Sequence, residues 1–248
     1  MSTHTLFIAD VHLQTETDHP INLAFTEFLT HEAPKAEALY ILGDLFEMWV
    51  GDDISIPLYQ TVIEHFRKLT KSGIPIYLLF GNRDFLMRKG FWRNTGIQPL
   101  KQLEKLTIHG QQLLLMHGDM LCTDDREYQK MRKILRHPIV TWLFLRLPQK
   151  KRLQIGHNMR EKSKKFSQNK TENIMDVNPQ AVKKLFSEYP EVDHLIHGHT
   201  HRPAHHLIEV DGKKKNRWVL GDWRPETKII KVSEESGVEL LDYPFNEK

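Results

Sequence analysis

Two kinds of hydrophobic pattern alternate along the chain. The first is a short apolar run of strand length that stops abruptly at a polar residue. Leu6-Phe7-Ile8-Ala9 runs into Asp10-Val11-His12, Leu39-Tyr40-Ile41-Leu42 into Gly43-Asp44, and Ile76-Tyr77-Leu78-Leu79-Phe80 into Gly81-Asn82-Arg83-Asp84. Leu113-Leu114-Leu115-Met116 runs into His117-Gly118-Asp119, and Leu195-Ile196 into His197-Gly198-His199-Thr200-His201. The second pattern has the spacing of an amphipathic helix and covers Asn22 to Leu29, Ile56 to Leu69 and, after Pro179, Val182 to Phe186. Asp211-Gly212 between His206–Val210 and Trp218–Leu220 predicts a hairpin, and Lys228 to Val232 and Val238 to Leu241 predict two last strands. Such alternation predicts a layered α/β protein, and in these folds ligands gather outside the carboxyl ends of the strands. Five strand ends therefore aim Asp, Asn and His at one rim.

The composition bounds what this rim can do. The 248 residues are 40% hydrophobic and 27% charged, an ordinary soluble balance. The single cysteine, Cys122, excludes an internal disulfide and any CxxC site, and fits a reducing cytosol. No thiol nucleophile is expected, because no motif places an imidazole beside Cys122. The start, MSTHTLFIAD, lacks the basic and long apolar regions of a secretory signal, and the longest apolar-rich stretch, Ile139 to Leu147, is about half a membrane span. With no repeat and no low-complexity linker, one domain over 1–248 is expected.

Charge is unevenly distributed. Between Arg126 and Lys170 stand 14 Lys and Arg against only Glu127 and Glu161, whereas the whole chain has 35 basic and 32 acidic residues. An acidic body thus carries a basic insert, which points to an anionic partner unless the charges only solvate a helix face. Within the insert, Pro138-Ile139-Val140-Thr141-Trp142-Leu143-Phe144-Leu145-Arg146-Leu147-Pro148 is apolar and fenced by cations, a composition that suits a lipid surface better than nucleic-acid bases. Trp142, Leu143, Phe144 and Leu147 are open to three fates: lining a pocket, touching a bilayer or packing the insert.

The 15 histidines are the unusual count. Oxygen donors from Asp and Asn beside imidazoles suit manganese, iron or zinc better than calcium. Asp10, His12, Asp44, Asn82, His117, His199 and His201 make seven candidate ligands, and if Asp44 bridges, each of two ions receives four. Paired ions about 3.5–4 Å apart clamp a phosphoryl group for in-line displacement. Any one segment alone is weak, since a DxH tripeptide arises by chance and Gly43-Asp44 alone is a turn. Five in this order, each at a strand end, point to a binuclear centre.

The strings DVH, GDLFE, GNRD, MHGD and HGHTH resemble the calcineurin-like metallophosphoesterase superfamily. The resemblance implies a four-layer αββα sandwich, with Asp10, His12, Asp44 and His201 on one ion and Asp44, Asn82, His117 and His199 on the other, and His197 and Asp119 standing behind them. One position departs from the common pattern. Where most of the superfamily has histidine in GNH[DE], this chain has Arg83, whose guanidinium does not give up its proton near neutral pH. The leaving group is then expected to be a good one, such as a phosphate of an anhydride, for which positive charge suffices.

Further strings, including Trp49, Gly51-Asp52-Asp53, Leu121 to Asp125 and Ile174 to Asn178, resemble the UDP-2,3-diacylglucosamine diphosphatase branch of lipid A biosynthesis from about Thr5 to Phe245. That branch implies pyrophosphate hydrolysis to UMP and 2,3-diacylglucosamine 1-phosphate with two Mn²⁺ ions, on the cytoplasmic face of the inner membrane as a peripheral protein. Residues 126–177 would form a basic helical lid over the acyl chains. Catalytic roles fall on Asp44, Asn82, Arg83 and His117, and substrate contacts on Asn82, Arg83, Asp125, Ser163, Ser167, Lys170 and His199. The expected partners are the UDP-lipid and the membrane surface, with no nucleic acid and no obligate protein partner. Another metallophosphoesterase activity, on nucleic acid or a phosphoprotein, and a metal-free binding scaffold are the competing readings.

Overall fold

The computed structural model of the chain describes residues 3–168, 176–224 and 226–244. The first half runs β1 (His4–Ile8), α1 (Pro20–His31), β2 (Ala38–Ile41), α2 (Asp52–Leu58), α3 (Gln60–Lys71), β3 (Ile76–Leu78), α4 (Lys89–Thr95) and β4 (Gln98–Pro99). The hairpin β5 (Leu103–Ile108) and β6 (Gln111–Met116) precedes three helices, α5 (Arg126–Leu135), α6 (Pro138–Phe144) and α7 (Gln149–Gln168). The chain ends with α8 (Pro179–Glu188), β7 (His194–His197), β8 (Ala204–Val210), β9 (Lys213–Val219), β10 (Thr227–Ser233) and β11 (Gly237–Tyr243).

Two sheets form, in the orders β11-β10-β1-β2-β3-β4 and β5-β6-β7-β9-β8. The two-residue period of a strand explains why they stack. On β1, Phe7 and Ala9 face the second sheet while Leu6 and Ile8 face helices; Tyr40 and Leu42 divide from Leu39 and Ile41 in the same way. In the second sheet Leu113 and Leu115 face inward, and Leu114 and Met116 face α8. The central strands β1, β2, β6 and β7 are buried on both faces and read as continuous apolar runs, whereas the outer strands β5 and β8 are half-exposed. The expected αββα layering is the fold observed.

β1, β2 and β3 pair in parallel, as do β6 and β7, so their carboxyl ends share one rim. The helix expected over Ile56 to Leu69 is instead two. It breaks at Tyr59, whose ring packs on Phe46 and Trp49 and whose hydroxyl donates to the Met48 carbonyl at 3.2 Å. Pro57 cannot supply an amide to the ladder, which eases the break.

The basic segment docks by two stripes of arginine. On α5, Tyr128, Arg132 and Arg136 stand one turn apart and converge on the buried Asp119, with Arg132 Nε donating at 2.6 Å. On α7, Arg152, Gly156 and Arg160 stand one turn apart along Glu47–Asp53. Arg152 donates to the Val50 carbonyl at 2.8 Å and pairs with Asp53. Gly156 abuts Met48 and Val50 so closely that a Cβ would overlap them. Phe144 and Leu145 pack on the main core, whereas Ile139, Trp142 and Leu143 are 62, 52 and 54% exposed. Of the three fates open to the α6 residues, packing is therefore that of Phe144.

Phe28 is fully buried among Phe25, Trp223 and Tyr243 on the helix side of the first sheet. Phe28→Ala should lower the unfolding free energy by about 3–5 kcal/mol, measured by urea denaturation.

Candidate metal centre

Three of the five strand ends, those of β1, β2 and β7, turn their polar residues inward through an uncommon backbone. Asp10, His12, Asp44, His199 and His201 all have positive φ, between 52° and 71°, a region where only Asn, Asp and His among larger side chains are at all frequent. Five left-handed residues gathered at one rim mark strain held for a purpose. The turns are locked together by main chain: the Asp10 amide donates to the Gly43 carbonyl and the His12 amide to that of Asp44, both at 3.0 Å.

The carboxylates are buried and held from behind. Asp10 Oδ2 accepts the His199 amide at 2.7 Å, and Asp44 Oδ1 accepts the Arg83 amide at 2.9 Å. A Cβ at Gly81 would overlap the Asp44 carboxylate and amide, and one at Gly198 would overlap Asp10, so both sites require glycine. Asp84, which was not singled out from the sequence, braces this loop by accepting the Leu45 and Gly81 amides at 2.8 and 2.7 Å.

Electron-pair donors converge with little between them to satisfy them. One atom each from Asp10, His12 and His201 lies within a 4.8 Å cluster, as does one from each of Asp10, Asp44 and His117. His12 Nε2 faces His201 Nε2 at 3.2 Å, and Asp10 Oδ1 is buried without a hydrogen bond. Asn82 Oδ1 lies 3.1 Å from His117 Nε2, and the His199 ring meets the His117 ring edge-on at 4.9 Å. All seven sequence candidates are thus brought together, with Asp10 placed between the two groups. His117 Nδ1 lies 2.9 Å from the Leu42 carbonyl, which can only accept; this leaves Nε2 turned to the centre. Lone pairs aimed at one another are what a divalent cation satisfies, and oxygen and imidazole donors without thiolate suit such an ion.

Protonation follows the same logic. Burial lowers His12 to about 3, with Arg83 adding to it, and lowers His199 to about 4, with His117 adding to it. Both imidazoles are therefore neutral and able to coordinate. For Asp44, burial works to raise the pKa, but His117, Arg83, His12 and His199 outweigh it and hold the carboxyl well below its ordinary range. Burial likewise pushes the Cys122 thiol up to about 12, which leaves it unreactive.

The remaining candidates are less gathered. Arg83 reaches Glu47 through Nη1 and has Nε 3.4 Å from Asp44 Oδ2. Asp125 caps α5 by accepting the Tyr128 amide at 3.1 Å. Ser163 is exposed on α7, three residues past Arg160, while Lys170 and the side chain of Ser167 lie outside the described residues. Glu47 and Arg160 were not identified from the sequence as site residues. Glu47 closes the GDLFE string, but the carboxylate gave no sign of which of many cations it meets.

Asp44→Asn should remove bound metal and turnover together while the far-UV circular dichroism holds. Gly81→Ala should weaken metal binding about 10- to 100-fold, the size expected when a ligand loses its support. Unchanged metal binding in both, read by equilibrium dialysis and plasma mass spectrometry, would overturn the placement of Asp44 in the centre.

Residues 3–203 match the calcineurin-like phosphoesterase family. The chain is 45% identical over 242 residues to a UDP-2,3-diacylglucosamine hydrolase of Serratia proteamaculans (strain 568), covering 98% of this chain and all of that one. It is 44% identical to a protein of the same name from Edwardsiella ictaluri (strain 93-146), covering 97% and 92%. A solved dimetal phosphatase from Danio rerio shares the fold, with a TM-score of 0.50 and 12% identity over 97% of this chain and 98% of that one. Sequence match and fold agree with what the strand ends imply: the chain is a hydrolase belonging to the calcineurin-like phosphoesterase family.

Proposed function

We propose that the protein hydrolyses the pyrophosphate bond of UDP-2,3-diacylglucosamine to UMP and 2,3-diacylglucosamine 1-phosphate, with two Mn²⁺ ions held by Asp10, His12, Asp44, Asn82, His117, His199 and His201. The observation that carries this reading is end-to-end similarity to hydrolases named for that substrate, at 44–45% identity, in a chain whose donors converge at one rim. Divalent ions in such a centre supply Lewis-acid activation of water and neutralise charge on a phosphoryl group. The chain's own part is orientation and charge. The Asn82 amide and the Arg83 guanidinium stand where negative charge develops, and Arg83 stabilises it without giving up a proton. A departing anhydride phosphate needs no proton at neutral pH, so a guanidinium serves where an alkoxide would demand an acid. Asp125, Ser163, Ser167, Lys170 and His199 complete the proposed substrate contacts.

The helices α5–α7 act as a lid in this reading, and the protein sits peripherally on the cytoplasmic face of the inner membrane. No helix among the described residues is long and apolar enough to cross a membrane. Support comes from exposed Met131, Ile134, Ile139, Trp142 and Leu143 flanked by the exposed lysines 130, 133, 150 and 151, a composition suited to an anionic lipid surface.

Protein reconstituted with Mn²⁺ and given UDP-2,3-diacylglucosamine in ¹⁸O-water should place the label in UMP, read by mass spectrometry. That outcome corresponds to attack by water at the α-phosphorus, which stays with UMP; label in the lipid phosphate would instead mean attack at the β-phosphorus, and no turnover with metal bound would overturn the substrate. Replacing Trp142 and Leu143 by alanine together should weaken binding to phosphatidylglycerol vesicles about tenfold or more in sedimentation assays, given the apolar area removed.

A further inference from the structure

Glu47 stands between two guanidiniums that come from different parts of the chain. Its carboxylate pairs with Arg83 Nη1, and Oε1 lies 3.7 Å from Arg160 Nη1, which also donates to the Glu47 carbonyl oxygen at 3.1 Å. Both guanidiniums are only about a fifth exposed, at 20 and 21%. Burial, then the neighbouring Arg83, lowers the pKa of Arg160. Arg83 Nε also lies 3.4 Å from Asp44 Oδ2, so the guanidinium spans Glu47 and the centre while Arg160 faces Glu47, and the pair presents fixed donors of the kind a phosphate accepts. Neither His12 Nδ1 nor Arg160 Nη1, each 3.7 Å from the carboxylate, hydrogen-bonds to it; Arg83 is the side chain it grips directly, and Arg160 is held by the Glu47 main-chain carbonyl and a longer ion pair.

The two arginines belong to different parts of the molecule. Arg83 lies on the loop after β3, beside Asp44, and Arg160 on α7. The stripe Arg152, Gly156 and Arg160 lays α7 along Glu47–Asp53, and Glu47 is where that stripe reaches the centre. We propose that Glu47 is a positioning residue: its carboxylate aims Arg83 at the substrate phosphate, while its main-chain carbonyl and the longer ion pair tie α7 to the same point through Arg160, so that docking of the helical segment and orientation of the guanidinium are coupled. Arg83 left without this partner swings on a long side chain and loses the alignment that charge stabilisation needs. Arg160 pays a different role, since its loss frees α7 first and disturbs Arg83 only through Glu47.

Hydrogen–deuterium exchange and steady-state kinetics on the full chain test this. Arg160→Ala should speed exchange in peptides spanning residues 152–163 about threefold or more; Glu47→Gln, which removes the ion pair but keeps the carbonyl hydrogen bond, should speed it less but measurably, and the double variant should be no faster than Arg160→Ala alone. Glu47→Gln should lower kcat about tenfold with KM within about threefold and bound metal unchanged; in an Arg83→Ala background the same change should cost less than about twofold. Unchanged exchange, loss of metal, or a full Glu47 effect without Arg83 would overturn the proposal. The kinetic measurement rests on the proposed hydrolysis, and a wild type that leaves the UDP-lipid intact counts against that reading, whereas the exchange result stands by itself.

Discussion

Everything at the rim depends on the burial of two carboxylates, Asp10 and Asp44, where the ends of the two sheets meet. A charge so placed costs several kcal/mol unless the structure compensates it. Compensation comes from the amides of His199 and Arg83, from the imidazoles of His12, His117 and His199 and from the Arg83 guanidinium. Each source demands something of the backbone: glycine at positions 81 and 198 to let main chain approach, and left-handed residues to turn the donors inward. The donor set of the centre is thus assembled before any ion binds. Its geometry is carried by parallel strands whose length the two sheets set.

The charge asymmetry of the sequence resolves into two populations with different tasks. Arg132, Arg136, Arg152 and Arg160 turn toward the body, where Asp119, Asp53, Glu47 and main-chain carbonyls receive them. Lysines 130, 133, 150, 151, 162 and 165 remain in solvent, as do Arg126 and Arg146 at positions that, among the described residues, face no acidic partner of the body. The division follows from side-chain chemistry, since a guanidinium is more weakly hydrated and offers several fixed donors, whereas an ammonium keeps its water. One basic segment can therefore be fastened to the acidic body and still present positive charge outward. Its stripes at four-residue spacing bring α5 to Asp119, two residues past His117, and α7 to Glu47, three past Asp44, so the segment is anchored at the edge of the metal centre.

The sequence by itself determined the layers, the five strand ends that carry polar side chains to the rim and the family. A strand alternates its faces every second residue whatever surrounds it, and a polar residue that interrupts a buried run has to be met by a ligand or a partner. What it did not show were properties that arise only between distant segments. The break at Tyr59 came from packing on Phe46 and Trp49, the brace at Asp84 from amides of two other loops, and the half-exposed β5 lacked a continuous apolar run. The left-handed conformations were invisible because aspartate and histidine adopt them only when tertiary contacts impose them. The place of Glu47 between Arg83 and Arg160 was likewise decided in three dimensions: a carboxylate has no directional preference among 35 cationic side chains until folding brings two of them within reach.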